Sequence, residues 1–129
     1  MNMKRLTFSN RYGHQLAAYI DMPVDGHPLA YAIFAHCFTC TKNLKAVANI
    51  NRALNRAGIA VLRFDFTGLG ESEGDFADTN FTTNVSDLMD AADFMAATYQ
   101  APEILIGHSL GGAAVLQAAA HIEPAKAVA

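Results

Sequence analysis

Two kinds of hydrophobic pattern divide the chain. Residues 4–9 and 15–22 flank the turn-prone Asn10-Arg11-Tyr12-Gly13, which predicts an antiparallel hairpin. Leu29-Ala30-Tyr31-Ala32-Ile33-Phe34-Ala35 is instead a continuous apolar run, the signature of a strand buried on both faces. Ile59-Ala60-Val61-Leu62 and Ile104-Leu105-Ile106 repeat it in shorter form. Helical spacing fills the gaps. Leu44, Val47, Ile50, Leu54 and Ala57 recur every three or four residues and predict one apolar face, closed by Gly58. Phe81, Val85, Leu88, Ala92, Met95 and Tyr99 predict a second, leaving Asp87, Asp90 and Asp93 for solvent, with Pro102 beyond its end. An Ala-rich run at 113–120 predicts a third helix, and residues 125–129 resemble the opening of another strand.

Strand, helix, strand in this order implies right-handed crossovers and a mostly parallel, doubly wound α/β sheet covered on both sides. Cut after its third crossover, such a sheet would leave an edge open. The expectation is therefore that residues 1–129 are the N-terminal part of a single domain, truncated after the third helix.

Composition narrows the function. With 52% hydrophobic and 16% charged residues, the chain has the balance of a packed core rather than of disorder. A net charge of -3 offers nothing to nucleic acid or to an anionic membrane, so neither is expected as a partner. The N-terminal residues 1–13 lack an apolar signal core, and no run of 18 apolar residues occurs. Cys37 and Cys40 then read as reduced thiols, and the expected location is cytoplasmic.

The chemistry lies in Gly107-His108-Ser109-Leu110-Gly111-Gly112, a G-x-S-x-G pattern with one further glycine. Three such fixed positions arise by chance in roughly one chain in 25 of this size, so context must decide. A buried strand enters the pattern and a helix leaves it. That is the setting of a nucleophile elbow, where a strained turn exposes the serine and the helix N-terminus favours negative charge. The plain alternative is a serine that merely caps a helix.

Two further motifs carry a resemblance. His36-Cys37-Phe38 resembles the His-Gly-x turn of α/β-hydrolases, and Asp65-Phe66-Thr67-Gly68-Leu69-Gly70-Glu71-Ser72 resembles their D-x-R-G-x-G-x-S loop. With the Gly107–Gly112 segment they stand in that family's order, and the wording is similar to the serine-aminopeptidase-like esterases. The resemblance covers the chain but only half of a typical family domain, and it implies the α/β-hydrolase fold. Members worded this way are often fused to a C-terminal OsmC-type domain. The resemblance implies Ser109 as nucleophile and the backbone N–H groups of Leu110 and Phe38 as the oxyanion hole. It gives structural roles to Gly107, His108, Gly111, Gly112, His36 and Asp65. Cys37 stands where the family has glycine, and Thr67 replaces its arginine and the contact that arginine makes. The implied reaction is acyl transfer on an ester, amide or thioester of a small-molecule substrate, without metal or cofactor.

The family's acid and histidine follow its serine. After Ser109 only His121 and Glu123 remain, and helix spacing puts His121 about 18 Å along the axis, beyond proton-transfer reach. The expectation is an inactive piece of an enzyme. His108 is expected to pack or donate structurally; His14 and His27 fall in loops, and Asp65 is expected to order its own loop. Rival readings stay open. Cys37-Phe38-Thr39-Cys40 is a C-x-x-C after a strand, as in thiol redox proteins, or half of a zinc site. The Gly68–Gly74 stretch suggests phosphate binding, although Glu71 and Glu73 oppose it. A non-catalytic binding module on the same fold is the third reading.

Overall fold

Alternating and continuous apolar runs resolve into one sheet, ordered β1-β2-β4-β3-β5-β6. The computed structural model describes residues 2–35, 45–108, 110–122 and 125–129. β1 (Asn2–Ser9) and β2 (Gln15–Met22) form the expected hairpin, with Ser9 opposite Gln15. β2 joins β4 (Ile59–Phe64) antiparallel. From there β3 (Ala30–Ala35), β5 (Ile104–Gly107) and β6 (Ala127–Val128) continue parallel. The sheet is thus mostly parallel, the α/β-hydrolase arrangement.

Strand β3 shows why its sequence has no polar alternation. Tyr31, Ile33 and Ala35 enter the larger core, while Ala32 and Phe34 enter a smaller one on the opposite face. The larger core is closed by α2 (Phe81–Thr98) and α3 (Leu110–Ala119) through Val85, Leu88, Ala92, Met95, Ala114, Val115 and Ala118. Leu54 of α1 (Lys45–Arg56) packs on the smaller core.

Helix α1 turns a different face inward from the one its apolar spacing predicts. Ile50 and Ala57 are exposed and Leu54 is half-buried, whereas Asn51 is fully buried. Leu44 and the Val47 side chain lie outside the described residues. The cause is a buried carboxylate on β2. Asp21 Oδ2 accepts hydrogen bonds from Arg63 Nε and Asn51 Nδ2, both at 3.1 Å, and Asn55 Nδ2 donates to the Asp21 carbonyl at 3.0 Å. A buried charge must be paired and hydrogen-bonded, and that demand outweighs the few methyl groups the other face offers.

Helix α2 departs from its pattern in the same way. Phe81, expected inside, is 43% exposed, while Asp87, expected outside, is 1% exposed. Asp90 is covered by an ion pair with Arg11 at 2.9 Å, and Asp93 alone of the three is exposed. Asn80 opens the helix with a capping box, its side chain accepting from the Thr83 N–H.

Burial pushes the Asp87 carboxyl above its ordinary value, against the opposing hydrogen bonds from Thr67 and Asn10. A carboxyl raised in the folded state binds its proton more tightly there than when unfolded. Its stabilising contribution is therefore full below the unfolded value and is lost as pH rises through the folded one. Urea midpoints of the wild type and Asp87→Asn should show this as a difference that shifts against the wild type from pH 4 to pH 7. A pH-independent difference would contradict it.

Candidate active site

The site is set by where the parallel strands end. β3 lies between β4 and β5, and the chain crosses from one side of β3 to the other between those strands. In open α/β sheets ligands bind outside the carboxyl ends at such a switch point. Here Ala35 pairs with Gly107, and the His108 N–H donates to the Ala35 carbonyl at 3.0 Å. The carboxyl end of β3 therefore abuts the start of the G-x-S-x-G turn.

That turn is unusually tight. A Cβ built on Gly107 would sit 2.4 Å from Gly112 Cα and 2.5 Å from the Gly111 carbonyl oxygen. No side chain can occupy that space, so the end of β5 and the first turn of α3 pack backbone against backbone. Gly111 N–H donates to the His108 carbonyl at 3.0 Å and closes the corner. The strand ends at Gly107 and the helix begins at Leu110, with only residues 108 and 109 between them. Such a corner turns a helix N-terminus, with its free N–H groups, back toward the carboxyl end of the strand.

Ser109 itself lies outside the described residues, as do His36, Cys37, Phe38, Cys40 and Glu123. The Leu110 backbone begins α3 directly after the serine. His108 is exposed rather than packed, because the corner turns it away from both cores. His121 is exposed beyond the far end of α3. Among the described residues no three His, Cys, Asp or Glu side chains gather as a metal site. Among them, too, no helix is long and apolar enough to cross a membrane.

On the other side of β3, the chain after β4 folds into a closed loop. Asp65 is fully buried, and its Oδ2 accepts from the Glu71 N–H at 3.1 Å. Ser72 Oγ donates to the Asp65 carbonyl at 2.6 Å and accepts from the Ala17 N–H at 2.9 Å. Gly70 has φ +52° and lies so close that a Cβ there would be 2.3 Å from Asp65 Oδ2. The phosphate reading of this loop fails on that geometry: the Asp65 carboxylate fills the concavity, and an anion would meet its charge. Glu71 pairs with Arg5, and Glu73 accepts from the Gln15 N–H at 2.8 Å.

Thr67 does more than omit an arginine contact. Its N–H and Oγ1 donate to Asp87 Oδ2 at 2.9 and 2.7 Å, and Asn10 Nδ2 donates to its Oγ1 at 3.0 Å. Sequence reasoning missed Asn10 and Asp87 because both stand at positions where polar residues are ordinary, a turn and a helix surface. The one available signal was the family's arginine missing at 67.

Over residues 27–129 the sequence matches the family described as serine aminopeptidase, S33. The chain is 56% identical to the esterase domain of a Rhodothermus marinus protein, with a TM-score of 0.82 over 99% of this chain and 49% of that one. Est1E from Butyrivibrio proteoclasticus, solved with ferulic acid bound, is 29% identical with a TM-score of 0.86, over 95% of this chain and 50% of that one. The mitochondrial palmitoyl-protein thioesterase ABHD10 of Rattus norvegicus is 33% identical over 87 residues, which are 67% of this chain and 28% of that protein. The chain thus spans about half the length of both solved structures.

Proposed function

The chain belongs to the serine aminopeptidase S33 family of hydrolases, and from that premise we propose that it carries the serine nucleophile of an enzyme cleaving ester-like bonds. Ser109 attacks the carbonyl of a small-molecule substrate. The oxyanion is held by the backbone N–H groups of Leu110 and Phe38. As it collapses the bond to the alcohol or thiol breaks and that group leaves, and water then cleaves the acyl-enzyme to the carboxylic acid and free serine. The observation that carries this reading is the Gly107 to Gly112 contact, with a Cβ clearance of 2.4 Å. A serine that only capped a helix would need no such backbone contact with the preceding strand.

An oxygen ester is the first choice of substrate class, supported by the 56% identity to an esterase domain. A thioester is the second reading, on the 33% identity to a palmitoyl-protein thioesterase. Because the chain spans about half of its solved relatives, we assign the base and acid to the half it does not cover, and His121, past the far end of α3, is set aside as the base. Family membership weighs against the redox reading of Cys37 and Cys40.

A fluorophosphonate probe tests this. An extended chain reaching the length of the relatives should be labelled at Ser109, identified by peptide mass spectrometry. Residues 1–129 alone should react far more slowly, with only an oxyanion hole to help. Equal labelling of both would mean that a base lies within these residues. No labelling or turnover of the extended chain, across oxygen esters and thioesters, would leave a non-catalytic relative.

A further inference from the structure

Asp87 is a carboxylate buried where helix spacing calls for a solvent-facing residue, and no cation pairs with it among the described residues. Arg11, the nearby guanidinium, is engaged by Asp90 at 2.9 Å. Leaving a charge buried without a counter-ion is costly, so its three hydrogen bonds must matter. Oδ2 accepts both the N–H and the hydroxyl of Thr67, and Oδ1 accepts Asn10 Nδ2 at 3.1 Å. The donors cannot rearrange. Asn10 Oδ1 already accepts the Tyr12 and His14 N–H groups, each at 3.0 Å, which fixes its amide nitrogen toward Thr67 and Asp87. An amide at 87 would turn an N–H toward another donor, so only the carboxylate satisfies all three.

The segment held this way has a defined place. Thr67 lies two residues beyond Asp65, at the carboxyl end of β4, and β4 and β5 flank β3 on its two sides. Two strand spacings separate β4 from β5, so this loop starts about 10 Å from the elbow across the end of β3. The start of this loop thus adjoins the end of β3 on the side away from the elbow, while its later residues are tied to the hairpin through Arg5–Glu71, Ala17–Ser72 and Gln15–Glu73.

We propose that Thr67 and Asp87 form a positioning pair for the hydrolytic site: the Asp87 carboxylate, acting through Thr67, fixes the loop that walls the site opposite the nucleophile elbow. The proposal rests on the hydrolase reading above. Neither residue touches the reacting atoms. The pair takes over at the position where the resembled loop carries arginine, so one buried carboxylate clamps the β1–β2 turn, the post-β4 loop and α2 together.

The test uses the extended, active chain with Thr67→Val, Thr67→Ser and Asp87→Asn, each checked by circular dichroism. Valine keeps the shape and the N–H but removes the hydroxyl, and serine restores it. The expected result for Thr67→Val and Asp87→Asn is a fall of roughly 10–100-fold in kcat, the scale of a small misplacement of reacting groups. KM should change little, and amide exchange at residues 68–72 should rise. Thr67→Ser should stay within about twofold of wild type, since its hydroxyl keeps the charge-assisted bond. Folded Thr67→Val and Asp87→Asn proteins with wild-type kcat would overturn the proposal alone, even with faster loop exchange. So would loss of fold in both, which would make the pair a structural lock. A wild type without Ser109-dependent reaction would instead overturn the hydrolase reading and the proposal together.

Discussion

Replacing Ser109 with alanine in an extended chain will abolish fluorophosphonate labelling and lower ester turnover by roughly 10³–10⁶-fold, the range of triad knockouts. The loss is expected in kcat, because the hydroxyl forms its bond to the substrate carbon only as the transition state is reached. Stability should hardly move, since a serine-to-alanine change removes a single hydroxyl and no apolar volume. Thermal melting and steady-state kinetics on the same preparation check both halves. Residual turnover above about a thousandth of wild type would assign the nucleophile elsewhere.

Gly107→Ala should also be damaging, to a lesser degree and by a different route. The added Cβ would meet backbone atoms of Gly111 and Gly112 at 2.4–2.6 Å, and backbone cannot rotate out of the way as a side chain can. Either β5 or α3 must shift, at a cost of about 1–3 kcal/mol or more for overpacking. A shift on the order of 1 Å at the corner would itself reduce turnover by about 10²-fold. Gly112→Ala is the internal control. Its Cβ would meet the Gly107 carbonyl oxygen at 3.5 Å, an ordinary contact, and should be tolerated in both stability and rate. The contrast separates close backbone approach from a general need for glycine in the turn. Equal behaviour of the two variants would mean that the corner is looser than its geometry.

The order of strands and helices was legible in the chain because each rests on local periodicity. Unbroken apolar runs at 29–35, 59–62 and 104–106 call for burial on both faces, and Tyr31–Ala35, Ala60–Leu62 and Leu105 are so buried, whereas Leu29 falls before β3 and is exposed. The hairpin followed from Asn10 to Gly13, and the tight strand-to-helix corner from a glycine pattern set between a strand and a helix. Motif order also pointed to the hydrolase family, which the match over residues 27–129 bears out.

Tertiary structure decided what hydrophobic periodicity cannot weigh, namely where buried polar groups find partners. Counting apolar residues turned α1 toward Ile50 and Ala57, but Asp21 on β2 draws Asn51 inward at 3.1 Å. The same counting sent Asp87 to solvent, although Thr67 and Asn10 hold it inside, 57 residues apart in the chain. A hydrogen bond to a buried carboxylate outweighs one or two methyl groups at the surface, and its donor can lie anywhere along the sequence. Asp65 shows the same limit at shorter range. Its burial and the space that Gly70 leaves for it arise only once the loop closes on itself, at a clearance of 2.3 Å.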